Sequence, residues 1–302
     1  MADRRLGLLH ALCAAAGTRR EQGRYAEAVP LYQRAMAMAE QNADPLNIAL
    51  VCNNLGVAYK YTGDFAAAEK LYQRALPLLE QRLGPWHTAL AALWHNLGGL
   101  EHARGRYARG EAPARRAVEI RQAALGPDHP EVAADMAALA AILDGLGRYK
   151  ESEPLYQRAM TIFEKAYGPE HYEIAVNLNN LAAVRYRQGR LAEAIQLYRR
   201  ALAMKETLLA PDHPDVAVTL HNLAVARAAQ GNHTEALALC ERALAICEHT
   251  PGPAHPRTQA CRRFHAKLLA LTTGDRAAGD YLISGGAVSS LTVARTVTVP
   301  AE

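Results

Sequence analysis

The sequence predicts an all-α solenoid of about six helix pairs closed by a C-terminal helix, and three periodic observations predict it. Glycines recur at Gly23, Gly63, Gly105, Gly147, Gly189 and Gly231, with a constant period of 42 after a first step of 40. The words around them recur as well. NNLGVAYKYTGDFAAAEKLYQRAL around Gly63 returns as HNLGGLEHARGRYARGEAPARRAV, NNLAAVRYRQGRLAEAIQLYRRAL and HNLAVARAAQGNHTEALALCERAL. A further word separates the units: GPWHT at 84, GPDHP at 126, GPEHY at 168, APDHP at 210 and GPAHP at 252. Self-similarity at a fixed period identifies an array in which each unit buries its apolar face against its neighbours.

The first unit, about 6–41, is the least regular and has NADPLN in place of the His-Pro turn. In the second, 46–82, the first helix is read from Asn47 to Tyr61, with Leu50, Leu55 and Ala58 among its apolar positions. It stops at Thr62-Gly63, where glycine supplies a left-handed cap. The second helix runs from Phe65 to about Arg82, with Ala68, Leu71, Tyr72, Ala75 and Leu79 on one stripe. Small Ala68 and Ala75 allow close approach of the two helices, and Tyr72 fills the space between units. The third unit, 88–124, has Ala114 where Tyr is expected and Pro113 inside the second helix, which should kink that helix or shift its start. The fourth, 130–166, reads MAALAAIL, with Ala137-Ala138 where its neighbours carry Asn or His. The fifth and sixth follow at 172–208 and 214–249, and a capping helix at 256–272 ends the array of 6–272. Residues 273–302 are rich in Gly, Ser, Thr and Val without helical period and read as a flexible tail, able to dock in the protein's own groove.

His87, His129, His171, His213 and His255 recur once per turn. Equivalent positions in neighbouring pairs lie about 10 Å apart, whereas zinc ligands converge within about 2.1 Å of one ion. We read these histidines as capping and packing residues and expect no metal and no cofactor. Pro130 and Pro214 fit the first helical position, where a missing N–H costs nothing. The five cysteines form no CxxC pair and are odd in number, which argues for a reducing, cytoplasmic setting. Cys240 takes the place held by Tyr72, Tyr156 and Tyr198 and reads as a small buried hydrophobe. A net charge of +4 makes no case for nucleic acid. No apolar run approaches the roughly 20 residues of a membrane span. The basic and apolar N-terminus imitates a secretion signal, but it aligns with the first helix of the later units, so no export is expected. No GxSxG, P-loop, HExxH or glycine-rich phosphate turn occurs, and no catalytic residue is nominated.

Leu55-Gly56, Tyr59, Gly63, Phe65, Ala68, Tyr72 and Ala75 carry the pattern of one helix pair. That pattern resembles the tetratricopeptide repeat (TPR), and the form seen here, of period 42 with LGPDHPEVA and NNLA, is similar to the kinesin light chain type. The resemblance implies a right-handed α-solenoid of about six TPR helix pairs plus a C-terminal capping helix. The chain shows no heptad segment ahead of its repeats, so the likeness is to the repeats and not to a motor subunit.

In such arrays the first helix of each pair lines a concave face. Carried onto this sequence, that places Asn53, Asn54, Val57, Lys60 and Tyr61 in a groove, followed by His95, Asn96, Gly99 and His102. Asn179, Asn180, Ala183, Tyr186 and Arg187 continue it, then His221, Asn222 and Val225. A primary amide has two donors and an acceptor. By resemblance, the Asn54, Asn96, Asn180 and Asn222 ladder grips peptide main chain; equally, each amide can bond the neighbouring helix and set the stacking. Lys60, His95, His102 and Arg187 make the groove mildly basic against Asp144, favouring a ligand segment with a carboxylate. The recurring Arg34, Arg74, Arg116, Arg158, Arg200 and Arg242 serve intramolecular pairing. The function expected is a non-enzymatic scaffold that binds a protein or peptide segment. The alternative is a regulatory sensor whose superhelix responds to a small peptide.

Overall fold

The computed structural model describes residues 2–250 and 252–273. Among them lie thirteen helices: α1 (Ala2–Glu21), α2 (Tyr25–Asn42), α3 (Pro45–Thr62), α4 (Phe65–Leu83), α5 (Thr88–Ala103), α6 (Tyr107–Leu125), α7 (Pro130–Gly145), α8 (Tyr149–Tyr167), α9 (Tyr172–Arg187), α10 (Leu191–Leu208), α11 (Pro214–Ala229), α12 (His233–His249) and α13 (Pro256–Thr272). No strand occurs among the described residues. The tail expected from residue 273 onward lies, from residue 274, outside the described residues. The chain divides within α8, one unit ending at Leu155 and the next beginning at Tyr156. In the first unit α1 packs on α2, α3 on α4 and α5 on α6, and α2·α3, α4·α5 and α6·α7 join successive pairs. In the second, α9 packs on α10 and α11 on α12, with α10·α11 and α12·α13 as joints. This is the all-α solenoid of helix pairs that the periodicity predicts.

The turns show why the words recur. At Gly63 φ is +89°, the Gly63 N–H bonds the Lys60 carbonyl, and the Asp64 N–H reaches back to Tyr59 at 2.9 Å. That is a left-handed C-terminal cap which a side chain would strain. The next helix then starts from Asp64, whose carboxylate accepts from the Ala67 N–H at 3.1 Å. Where Arg24, Arg148 and Arg190 stand at the same place, the guanidinium instead grips Glu27, Glu151 and Glu193 at 2.6–2.7 Å across the first turn.

The recurrent turn histidines are N-caps. The Nδ1 atoms of His87, His129, His171, His213 and His255 accept from the backbone N–H two residues on, at 3.0–3.3 Å. An accepting Nδ1 carries no proton, so this arrangement selects the neutral ring. At His255 burial, with the Arg257 charge as a second cause, lowers the pKa to about 4.

Burial differs between the two helix classes. In α4 only Ala68, Tyr72, Ala75 and Leu79 are buried, a single stripe. In α7 every residue from Val132 to Asp144 is buried. The first helices are therefore enclosed, and the second helices are amphipathic.

Two expectations change. The first helix of the second unit starts at Pro45 rather than Asn47, because Asp44 caps it and proline suits the first position. Pro113 does not shift the start of its helix: α6 begins at Tyr107, one repeat period after Phe65 and one before Tyr149, and continues through Pro113. Prolines 30, 77 and 154 also sit inside second helices. Tyr72 also packs within its own pair, where a Cβ on Gly56 would meet its ring at 2.6 Å.

Candidate peptide-binding face

The nominated amides are joined to one another. In the first unit Asn96 Nδ2 donates to Asn53 Oδ1 at 2.8 Å, linking α5 to α3, and Asn53 Nδ2 reaches Asn54 Oδ1 at 3.4 Å. The second unit repeats the motif: Asn222 Nδ2 donates to Asn179 Oδ1 at 3.2 Å, and Asn179 Nδ2 to Asn180 Oδ1 at 3.3 Å. All five of Asn53, Asn96, Asn179, Asn180 and Asn222 are fully buried and Asn54 nearly so. Of the two roles open to these amides, the structure displays the bond to the neighbouring helix. A buried amide must be satisfied, and each pair supplies the partner for the next.

The remaining nominated residues fall into two groups. Tyr61, His102, Tyr186, Arg187 and His221 are half-buried. Lys60 is buried, with its Nζ 4.8 Å from the centroid of the Tyr61 ring, and Tyr61 stacks on Tyr25 with centroids 4.3 Å apart. His102 meets Tyr107 edge-on at 5.4 Å. Lys60, His102 and Tyr186 occupy one register position, separated by one and then two repeat periods. His95 is withdrawn from the basic set: it is buried, and its Nδ1 lies 2.7 Å from Asp135 Oδ1.

Asp135 belongs to a cluster that the sequence reading missed. Arg121 Nε lies 2.7 Å from Asp135 Oδ2, out of line for a hydrogen bond, and Arg121 Nη1 also binds Glu131. Arg121 and Asp135 are 3% and 0% exposed. The second unit has a counterpart two repeat periods on. Lys205, fully buried, donates through Nζ to Thr219 Oγ1 at 2.9 Å and to the Asp215 carbonyl at 3.3 Å, while the Tyr172 hydroxyl binds the Asp215 carboxylate. Burial lowers the Lys205 pKa to about 8, though Asp215 opposes it. Burial pushes the Asp215 carboxyl up, but the Lys205 charge, with the Tyr172 hydroxyl, holds it below its usual range. A charged residue set one His-Pro turn ahead of another polar one, as Lys205 is ahead of Thr219, was the available signal. Of the second-helix arginines, Arg74 pairs with Glu40 at 2.6 Å and Arg242 with Glu206 at 2.8 Å, while Arg116 lies over Trp86.

Repeat by repeat, an enclosed first helix, an amphipathic second, a left-handed glycine and a histidine cap define one unit. The tetratricopeptide repeat model matches residues 7–81, 89–165, 136–207 and 215–278. The chain belongs to the tetratricopeptide repeat family. Among solved structures this TPR chain is similar to BtubC (BKLC) from P. vanneervenii, at 25% identity and TM-score 0.52, covering 82% of this chain and 94% of that one. It is also similar to the Rap conjugation gene regulator of the plasmid pLS20 in complex with the Phr* peptide, at 13% identity and TM-score 0.65, with 91% and 83% covered. A Rap protein complexed with competence and sporulation factor matches at 13% identity and TM-score 0.62, with 89% and 76% covered. The two Rap likenesses speak to fold alone. No curated protein sequence matches the chain. No helix among the described residues is long and apolar enough to cross a membrane.

Proposed function

We propose that this TPR protein is a non-enzymatic scaffold that holds a peptide segment of a partner protein against the first-helix faces of its repeats. The observation that carries the reading is the amide motif built twice with the same connectivity, Asn53/Asn54 to Asn96 and Asn179/Asn180 to Asn222. Bonds between pairs fix the spacing of the half-buried side chains beside them, and a pre-organised face binds at lower ordering cost. Within the set nominated from sequence, the amides set that spacing, and Tyr61 and His102 in the first unit and Tyr186 and Arg187 in the second meet the ligand. His102 and Arg187, both half-buried, favour an acidic or carboxylate-bearing segment. The Rap fold solved with a bound peptide supports peptide capture by this helix-pair arrangement. Five free cysteines support a reducing, cytoplasmic setting.

The test is selection from a peptide display library, followed by affinity measurement with Tyr61→Ala/His102→Ala and Tyr186→Ala/Arg187→Ala at matched helicity. Loss of an anchoring aromatic or Arg at such a face costs at least about 1.4 kcal/mol, tenfold in affinity. Selected peptides without acidic character, or affinities that neither variant changes, would refute the proposal.

A further inference from the structure

The register that organises the fold also locates an anomaly in the second unit. His221 on α11, Cys240 on α12 and Cys261 on α13 have ligand atoms that all lie within 4.8 Å of one another. The two sulfurs are 3.8 Å apart, and Cys240 and Cys261 are 0% and 3% exposed. His221 is half-buried, sits edge-on to Phe264 at 5.4 Å, and its Nδ1 is buried with no hydrogen-bond partner among the described residues.

Register positions make the coincidence specific. Cys261 stands where Leu93, Asp135, Asn177 and Thr219 stand in earlier repeats, each one period from the next. His221 stands where Asn53, His95 and Asn179 stand, so its approach to Cys261 repeats that of His95 to Asp135, at the same separation along the chain. Cys240 replaces the tyrosines of positions 72, 156 and 198. Loss of that ring leaves a small soft donor where the second, fourth and fifth repeats hold a phenol. Three substitutions from three helices therefore meet at one point.

We propose that His221, Cys240 and Cys261 form a binding site for a soft divalent metal ion of the zinc class. Two thiolates and one imidazole are a known zinc donor set, with an open fourth position that water fills. In a tetrahedron with Zn–S bonds of about 2.3 Å, the two sulfurs stand about 3.8 Å apart, the separation found here. A disulfide would instead require them to close to about 2.05 Å, and would leave the His221 nitrogen unexplained. Charge supports a divalent ion: two thiolates, neutral imidazole and M²⁺ sum to zero, which suits an interior poor in polar groups. Both thiol protons leave to solvent as the metal enters. The half-buried face of His221 is the side open to entry.

The test uses the untagged full-length chain, reduced and stripped with chelator, then titrated with Co²⁺ as the optical probe and with Zn²⁺ as competitor. One Co²⁺ per chain is expected, with a near-ultraviolet thiolate-to-metal charge-transfer band that Zn²⁺ abolishes. Cys261→Thr and His221→Asn install the residues found one period earlier, Thr219 and Asn179, so both variants keep a packing the fold already uses. Cys261→Thr should remove the band and at least about 100-fold of the affinity, and His221→Asn at least about tenfold, since even outer-shell partners are worth this range. A folded, reduced chain that shows no charge-transfer band overturns the assignment. So does stoichiometric uptake that survives Cys261→Thr.

Discussion

The Arg121–Asp135–His95 cluster offers a quantitative test, because the same chain supplies its apolar control. At the preceding joint the equivalent positions are Leu79, Leu93 and Asn53. In Asp135→Leu, Arg121 at 3% exposure keeps only Glu131, whose side chain is 43% exposed, and His95 loses its acceptor. Stranding a buried charge by removing its partner costs about 3–5 kcal/mol, and the surviving Glu131 contact places this case near the lower figure. With a urea slope of about 2 kcal/mol/M for a domain of this size, the transition of the first unit should move down by about 1.5 M. The triple variant His95→Asn/Arg121→Leu/Asp135→Leu transplants the preceding joint whole. Replacing a buried ion pair by packed apolar groups is neutral or stabilising. The asparagine introduced at position 95 forfeits about 1 kcal/mol, because Ala138 supplies no donor to it. The triple variant should therefore lie within about 1 kcal/mol of the parent. The assay is urea denaturation followed by far-ultraviolet circular dichroism, with fragment-resolved hydrogen exchange to locate the change. A single variant that shifts by less than about 0.5 M, or a triple variant no more stable than the single, would refute the view that this cluster is a compensated burial.

Lys205 makes stability depend on alkaline pH. Its folded pKa of about 8 lies below the ordinary 10.5, so the unfolded chain binds more protons between these values and stability rises with pH across that window. The difference between parent and Lys205→Met should change by at most about 3 kcal/mol from pH 8 to 10.5; a flat difference curve would contradict the assignment. His255 acts in the acid range. Its folded pKa of about 4 lies below 6.5, so protection of α13 from hydrogen exchange should hold above pH 6.5 and fall as pH drops towards 4. His255→Asn, which keeps an N-cap but does not titrate, should flatten that profile. Asn222→Asp sets a carboxylate oxygen where an N–H now meets Asn179 Oδ1. It should cost about 2–4 kcal/mol by denaturation at pH 7, and equality with the parent would exclude the amide bond as a stacking element.

Most of the fold is legible in the chain because its determinants are local and repeated. Gly63 has to be left-handed, His129 accepts from an N–H two residues away, and the Ala68/Tyr72/Ala75/Leu79 stripe needs only helical period. The candidate face is legible only as positions. That Asn96 bonds Asn53 depends on how α5 sits on α3, and one sequence period cannot distinguish an amide facing a ligand from one facing the next helix. Pro113 leaves the start of α6 in the register set by Phe65 and Tyr149, because the repeat turn before it and not the proline fixes where the helix begins. The thiol-imidazole cluster was hidden for another reason. Cys240 and Cys261 stand half a repeat period apart, and only the folding of a helix pair onto the next helix brings them together.

The joints between pairs differ in chemistry although the pairs share one frame. Positions 79/93 are Leu/Leu, 121/135 Arg/Asp, 163/177 Phe/Asn, 205/219 Lys/Thr and 247/261 Cys/Cys. A repeat array whose joints were all alike could close in wrong order or between chains, since every unit would fit every other. A buried Arg121 set against Leu93 or Thr219 is uncompensated, so the polar joints penalise mismatched neighbours more than they stabilise matched ones. This separates stability from specificity in the triple variant. Its two adjacent Leu/Leu joints should leave equilibrium stability near the parent value while lowering the yield of monomer on refolding from urea and raising domain-swapped dimer with protein concentration. Refolding of parent and triple variant side by side, resolved by size-exclusion chromatography, measures this. An unchanged monomer yield across a tenfold range of concentration would show that the glycine caps and helix lengths alone keep the repeats in order, and that the charged joint has no part in it.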